Sequence, residues 1–484
     1  MTFSKVTSFL FQNQTPRQTV LKNALWLTVG QTSGRLLRAV VVIYAARLLG
    51  ASSWGAFSYA LSLSAFLTIF SDIGITSVVT REASRNVELR RHYLATAFVI
   101  KIALLLPLIA AFLLLAPLLT NVTEVLLILP VIVALTAFDS LQNLASSMAR
   151  ATERMELEAG VNIFTNIAIV ALGFALLVAS PTSLSLAFAY AVGSALGLLA
   201  YVVVLRDYFV ALPRFFSREL VKPILTAAWP FGLMGLMGVV MINTDVIMIG
   251  FFRGIAEVGF YAAAQKPILL LYILPGLLIT PLFPSISRLA RENRDKLRAI
   301  FEKALHVMLA GAIPLTISGF LYAPTIINLL YGAEYAAGVE SFRILALTFF
   351  MIFSSTLIGN VIFAFDKQRS FLIYVALGFF GNVALNALLI PRFGIEGTAI
   401  STVINNITTT IYAWRTLKSV MPFTVLPRLL KTLLAGALMA TSGLLFYLFG
   451  VPPLPAMIAT GLIYPLALFI LKDPLIIELR SFFR

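Results

Sequence analysis

The chain has 484 residues, of which 60% are hydrophobic and 12% charged, with a formal net charge of +15 and no cysteine. A soluble domain of this size carries about 25% charged residues, so the composition excludes a soluble protein and describes an all-α polytopic membrane protein. Without cysteine there is no disulfide framework, thiolate metal site or redox motif, and the positive charge is dispersed over short loops rather than gathered for nucleic acid.

The first twenty residues mix polar and aromatic types without an apolar core, so no cleaved signal peptide is expected. Fourteen apolar stretches of spanning length follow, at 23–47, 54–73, 93–116, 124–148, 158–180, 183–205, 223–251, 257–285, 304–325, 341–364, 371–390, 395–414, 430–449 and 454–471. Of the 36 Lys and Arg residues, 28 fall on one alternate set of loops and termini, among them Lys5, Arg480 and Arg484 in the tails. Only Arg47, Arg253 and Arg392 fall on the opposite set. Positive-inside sorting then places both termini in the cytoplasm, with the protein in the cell membrane. No loop is long enough for a soluble catalytic domain, so an enzyme is not expected.

Two segments recur in order. Gly55-Ala56-Phe57-Ser58-Tyr59-Ala60 is echoed 204 residues later by Gly259-Phe260-Tyr261-Ala262-Ala263-Ala264. Asn162 and Asn166 are echoed by Asn382 and Asn386, each pair one helical turn apart. Six spans per copy give two parallel repeats. The expected organisation is a tail (1–22), an N-lobe of spans one to six (23–206), a linker (207–222), a C-lobe of spans seven to twelve (223–416), two further spans (417–472) and a second tail (473–484).

The remaining five cations, Arg35, Arg38, Lys101, Lys266 and Arg343, lie inside the apolar stretches. A charge at the bilayer centre costs about 2.5–3.5 kcal/mol on the insertion scale, so such groups turn to a water-filled cavity or to one another. Span one carries Gln31, Arg35 and Arg38 on one face; span four carries Asp139 and Asn143. Asn243 and Asp245 lie in span seven, Gln265 beside Lys266 in span eight, and Asn405 in span twelve. Each has two readings: polar lining of a cavity, or interhelical bonding worth about 0.6 kcal/mol apiece. For Lys101 the second reading is an ion pair with Asp72, Asp139 or Asp245. Arg343, near a helix end, is placed to snorkel. No phosphate loop, zinc-protease motif or dinucleotide fingerprint occurs, so neither ATP hydrolysis, a catalytic residue nor a metal site is expected.

Several segments carry a resemblance: Ser71-Asp72-Ile73-Gly74, Arg81-Glu82, Ile242-Asn243-Thr244-Asp245, Val258-Gly259-Phe260-Tyr261-Ala262-Ala263, Leu330-Tyr331-Gly332-Ala333-Glu334-Tyr335 and Pro391-Arg392-Phe393-Gly394-Ile395-Glu396-Gly397-Thr398-Ala399. In this order they resemble the O-antigen-type polysaccharide flippases of the multidrug/oligosaccharidyl-lipid/polysaccharide exporter superfamily. The resemblance implies two six-helix lobes around a central cavity that opens alternately to each face, plus two C-terminal helices. It also implies a lipid-linked, polyprenyl-pyrophosphate oligosaccharide as substrate, with a polysaccharide polymerase and glycosyltransferases as partners. On that reading Arg35, Arg38, Lys101 and Lys266 meet the pyrophosphate. Asp139 and Asp245 serve a coupling ion, H+ or Na+, or hold those cations. Gln31, Asn143, Asn243, Gln265 and Asn405 line the cavity. Two alternatives share the fold: a multidrug/cation antiporter, disfavoured by cations outnumbering intramembrane acids, and a lipid II flippase.

Overall fold

The computed structural model describes residues 11–475, so Lys5, Arg480 and Arg484 of the charge pattern lie outside the described residues. Within them the chain is helical throughout, with no strand. The helices are α1 (Pro16–Asp72), α2 (Ile75–Arg85), α3 (Arg90–Leu119), α4 (Thr123–Ala151), α5 (Met155–Ala179), α6 (Ser183–Val204), α7 (Arg206–Phe209), α8 (Arg218–Phe252), α9 (Ile255–Leu271), α10 (Ile273–Glu292), α11 (Arg294–Leu321), α12 (Ala323–Tyr331), α13 (Val339–Ala346), α14 (Thr348–Ala364), α15 (Gln368–Val420), α16 (Leu426–Leu448) and α17 (Pro453–Ile470). Start signals are explicit where the sequence supplies them. Thr15 accepts from the Gln18 N–H at 3.2 Å, and Asn293 accepts from the Lys296 N–H at 2.9 Å.

Among the described residues twelve helices are long and apolar enough to cross a membrane, against the fourteen stretches read from sequence. The difference falls at two places. The apolar parts of α1 and α15 run for 55 and 52 residues, over twice the roughly 20 that cross a bilayer. Each is interrupted by a glycine outside helical geometry, Gly50 (φ 73°) and Gly394 (φ 59°). Two expected spans are subdivided. The stretch 257–285 breaks at Tyr272, where Pro275 has no N–H to offer the Leu271 carbonyl. The stretch 341–364 breaks at Leu347. Large apolar side chains stand exposed along the helices, including Leu114, Leu118 and Leu448 at 79%, 82% and 76%. Lipid, not water, is the solvent that such surfaces suit.

Contacts divide the chain into two compact units, Met1–Gly259 and Phe260–Arg484, with the whole of α8 in the first. In the first unit α1 packs on α5, and α6 packs on both α4 and α5. Glycines allow these backbones to approach closely. A Cβ at Gly30 would strike Ala159, one at Gly34 would strike the Asn162 and Asn166 amides, and one at Gly193 would strike Ile169. In the second unit α16 and α17 dock on α11. The Tyr464 hydroxyl donates to the Ala310 carbonyl at 2.8 Å, and the Tyr322 and Thr460 hydroxyls bond at 2.7 Å. Glu302 accepts from the Thr424 N–H at 2.9 Å, fixing the connection between α15 and α16.

The duplication is visible in backbone detail. Gly254 has φ 108° and follows Gly50 by 204 residues, the offset of the glycine motif beyond each. Glu153 and Asp366, with φ 56° and 57°, each end a helix in the left-handed region five residues before an expected span. Both closures have the same bonds: Glu153 N–H to the Arg150 carbonyl and Arg154 N–H to Ala149, then Asp366 to Phe363 and Lys367 to Ile362. The asparagine pairs also match. Asn166 Nδ2 donates to Asn162 Oδ1 at 3.2 Å, and Asn386 Nδ2 donates to Asn382 Oδ1 at 3.2 Å.

Candidate functional site

A polar cluster lies inside the first unit, assembled from α1, α4, α5 and α6. Gly30, Gly34 and Val41 turn one face of α1 onto α5, leaving Gln31, Arg35 and Arg38 exposed on another. Arg38 Nε donates to Asn166 Oδ1 at 3.1 Å, and its guanidinium lies 5.7 Å from the Tyr190 ring centroid. Asn166 can accept because its amide nitrogen is spent on Asn162, at 2.8 Å to the carbonyl and 3.2 Å to Oδ1. The asparagine pair therefore orients the guanidinium. Beside it, Asp139 accepts from the Ser194 hydroxyl, and Gln142 Nε2 donates to the Ser194 carbonyl at 2.8 Å. Among the described residues neither Arg35 nor Arg38 has a carboxylate within ion-pair distance. Arg38 is thus held by an amide and an aromatic face, and its charge interacts with that of Asp139 without an ion-pair contact.

Lys101 has a different setting. Its side chain is fully buried, with Nζ 2.6 Å from Asp72 Oδ1 and 3.3 Å from the Thr76 hydroxyl. Thr76 also donates to Asp72. Of the two readings open for Lys101, the geometry is the ion pair with Asp72. The carboxylate sits one residue before Ile73 (φ 39°) and two before Gly74 (φ 85°), at the break between α1 and α2. A β-branched residue in that region is strained, and the adjacent ion pair helps hold it.

Among the described residues, Asn143 and Asn243 make no side-chain bond to this cluster. Asn143 is exposed on α4. Asn243 bonds back to the Val239 carbonyl of its own helix at 2.8 Å, and Asp245 is buried at 3% exposure. In the second unit Gln265 is buried and Lys266 half-buried. Asn405 is buried, with Nδ2 donating to the Gly378 carbonyl at 2.9 Å. That bond joins two segments of α15. Arg343 bonds the Phe320 carbonyl at 3.1 Å and pairs with Glu340. Among the described residues no three His, Asp or Glu side chains gather where they could hold a metal.

Three partners in the cluster were not anticipated, Gln142 on α4 and Tyr190 and Ser194 on α6. For the pair on α6 the signal was present: a tyrosine and a serine one turn apart in an apolar span, flanked by Gly193 and Gly197. Both are types that pack anywhere in a membrane helix, so their roles emerge only from Arg38 and Asp139 across the helix packing.

The helices and this cluster define a polytopic membrane protein with a charged polar site on its N-terminal half. The model of the family described as "Polysaccharide biosynthesis protein" matches residues 20–290, more than half of the sequence. The chain belongs to that family. Probable flippase AglR of Haloferax volcanii is 30% identical over 193 residues, covering 39% of this chain and 38% of its own length. Probable low-salt glycan biosynthesis flippase Agl15 of the same organism is 23% identical over 402 residues, covering 79% of this chain and 80% of its own. A putative O-antigen transporter of Shigella flexneri is 26% identical over 165 residues, covering 34% and 38%. Among solved structures, the lipid II flippase MurJ in an inward closed conformation superposes with a TM-score of 0.78 at 18% identity, over 95% of this chain and all of that one. An inward-facing multidrug resistance MATE family transporter gives 0.61 at 16% identity, over 86% and 98%. At these identities the likeness is one of fold.

Proposed function

We propose that the protein is a flippase that moves a lipid-linked, polyprenyl-pyrophosphate oligosaccharide across the cytoplasmic membrane by alternating access, for cell-surface polysaccharide synthesis. One observation carries the reading. Arg35 and Arg38 share an exposed polar face with Gln31, no acid neutralises either within ion-pair distance, and the face lies within the residues matched by the family. Guanidinium groups suit a pyrophosphate through charge-assisted, bidentate bonding. The flippase and O-antigen-transporter names of the relatives support the substrate class. With α1 and α15 each counted as two spans about Gly50 and Gly394, the topology has fourteen spans and both termini in the cytoplasm. Asp139, with its Ser194 donor, and Asp245 are the sites for a coupling H+ or Na+. A polymerase and glycosyltransferases are the partners.

The test is Arg35→Ala combined with Arg38→Ala. The variant should insert at wild-type levels, stop surface glycan export and trap lipid-linked oligosaccharide on the cytoplasmic leaflet. Normal surface glycan in that strain would remove the two arginines from the mechanism. Unchanged glycan with altered drug susceptibility would favour a multidrug antiporter instead.

A further inference from the structure

A groove of about 520 Å³ opens on the first unit at the start of α8, lined by Phe216, Arg218, Val221, Lys222, Leu225 and Thr226. Arg218 and Lys222 are one helical turn apart, so their side chains share a face. Both are exposed, and among the described residues neither has a carboxylate within ion-pair distance. Lys22, Arg150 and Arg298, by contrast, are each held by a glutamate within 3.0 Å. The same face continues as Leu225, Trp229 and Leu233, exposed at 36%, 61% and 49%. Over roughly 22 Å of helix it passes from two cations to an apolar strip of Leu225, Trp229 and Leu233.

That sequence of surfaces matches a phospholipid standing against the helix. Its phosphate meets the cations, and its chain meets the apolar strip beyond them. The groove is also fixed to the fold. The Ser217 N–H donates to the Thr96 hydroxyl at 3.1 Å, and the Arg91 guanidinium lies 5.3 Å from the Phe215 ring centroid. The Thr226 hydroxyl is committed to the Lys222 carbonyl at 2.8 Å, so recognition falls to the two cations.

We propose that this groove is a binding site for the phosphate of a net-anionic membrane lipid, with its chain lying along Leu225, Trp229 and Leu233. The site stands without the transport reading. Its ligand is either a glycerophospholipid of the bilayer or a polyprenyl phosphate, which share the phosphate that the cations recognise.

The full-length protein is to be placed in phosphatidylcholine nanodiscs titrated separately with phosphatidylglycerol and with undecaprenyl phosphate, and retained lipid read by native mass spectrometry. Arg218→Gln with Lys222→Gln should weaken retention on the order of 30-fold, from about 1 kcal/mol for each cation. Arg206→Gln with Arg214→Gln removes the same charge just upstream, outside the groove, and should leave retention unchanged. A loss confined to one lipid identifies the source; a loss for both assigns the site to phosphate lipids in general. Wild-type retention in the groove variant overturns the proposal, as does equal loss in both variants, which would reduce the effect to diffuse attraction. Should the double variant lose its wild-type melting temperature, Lys222→Gln alone carries the test, with about a fivefold loss expected.

Discussion

Gly55 and Gly259, equivalent positions of the two repeats, lie against each other reciprocally. A Cβ on Gly55 would overlap the carbonyl oxygen of Ile255, four residues before Gly259; one on Gly259 would overlap that of Ala51, four residues before Gly55. The contact is therefore self-complementary under exchange of the repeats, the relation that a twofold interface imposes on identical chains. Here it lies inside one unit. Gly74 and Gly232 make a second close approach, where a Cβ on either would strike backbone atoms of the other's segment.

Alanine at Gly55 or Gly259 is expected to cost roughly 1–3 kcal/mol, because the obstructing atoms are backbone and cannot rotate away. The double variant should cost less than the sum, since both substitutions separate the same pair of segments. Thermal unfolding of the purified protein checks both statements. Additive losses would mean that the two glycines act independently.

Removing one member of the Lys101–Asp72 pair leaves the other desolvated. Lys101→Met should destabilise by about 3 kcal/mol, at the low end for a broken buried pair because the Asp72 side chain is 23% exposed. Adding Asp72→Leu should recover much of that loss. Melting temperature and detergent-extracted yield are the readouts, and a double variant worse than Lys101→Met would contradict the account.

The guanidinium of Arg38 donates through Nε and faces an aromatic ring, and an ammonium reproduces neither geometry. Arg38→Lys should therefore reduce surface glycan nearly as much as Arg38→Ala. Arg35→Lys should retain more activity, since Arg35 is exposed and held by no ion pair. Quantified surface glycan in a complemented deletion strain distinguishes the two.

His306 Nε2 bonds the Thr432 hydroxyl at 2.8 Å and lies 3.3 Å from Asp473 Oδ1, while Thr432 donates to Asp473 Oδ2 at 2.8 Å. All three side chains are buried. His306→Ala leaves the other two short of a partner, at about 1–3 kcal/mol, and should loosen α16 and α17 from α11. Limited proteolysis in the segment 421–425 should then speed up, with cleavage between α7 and α8 unchanged. An unchanged rate at 421–425 would place the hold elsewhere, at Glu302 and Tyr464.

The spans and the repeat were legible in the sequence because hydropathy in a bilayer is a strong, one-dimensional signal. The asparagine pairs were legible because i and i+4 share a helix face whatever the fold. Other features needed three dimensions. Gly50 and Gly394 carry the non-helical turns within α1 and α15, a backbone conformation that hydropathy does not encode. Lys101 had three acids as candidate partners, and only helix packing selects Asp72. Asn405 carried the same polar signal as Arg38, yet its amide is spent on the Gly378 carbonyl. Amide glue and amide lining have identical spellings.

The asparagine clasp occurs twice, but its guanidinium only once: 204 residues beyond Arg38 stands Ile242. The scaffold recurs without that charge. The two halves are thereby unequal hosts, one clasp carrying a guanidinium and the other none at the matching position. Substitution on one copy can then retune which cargo is held while the other preserves the architecture. Doubling a fold in this way supplies a spare as well as a symmetry.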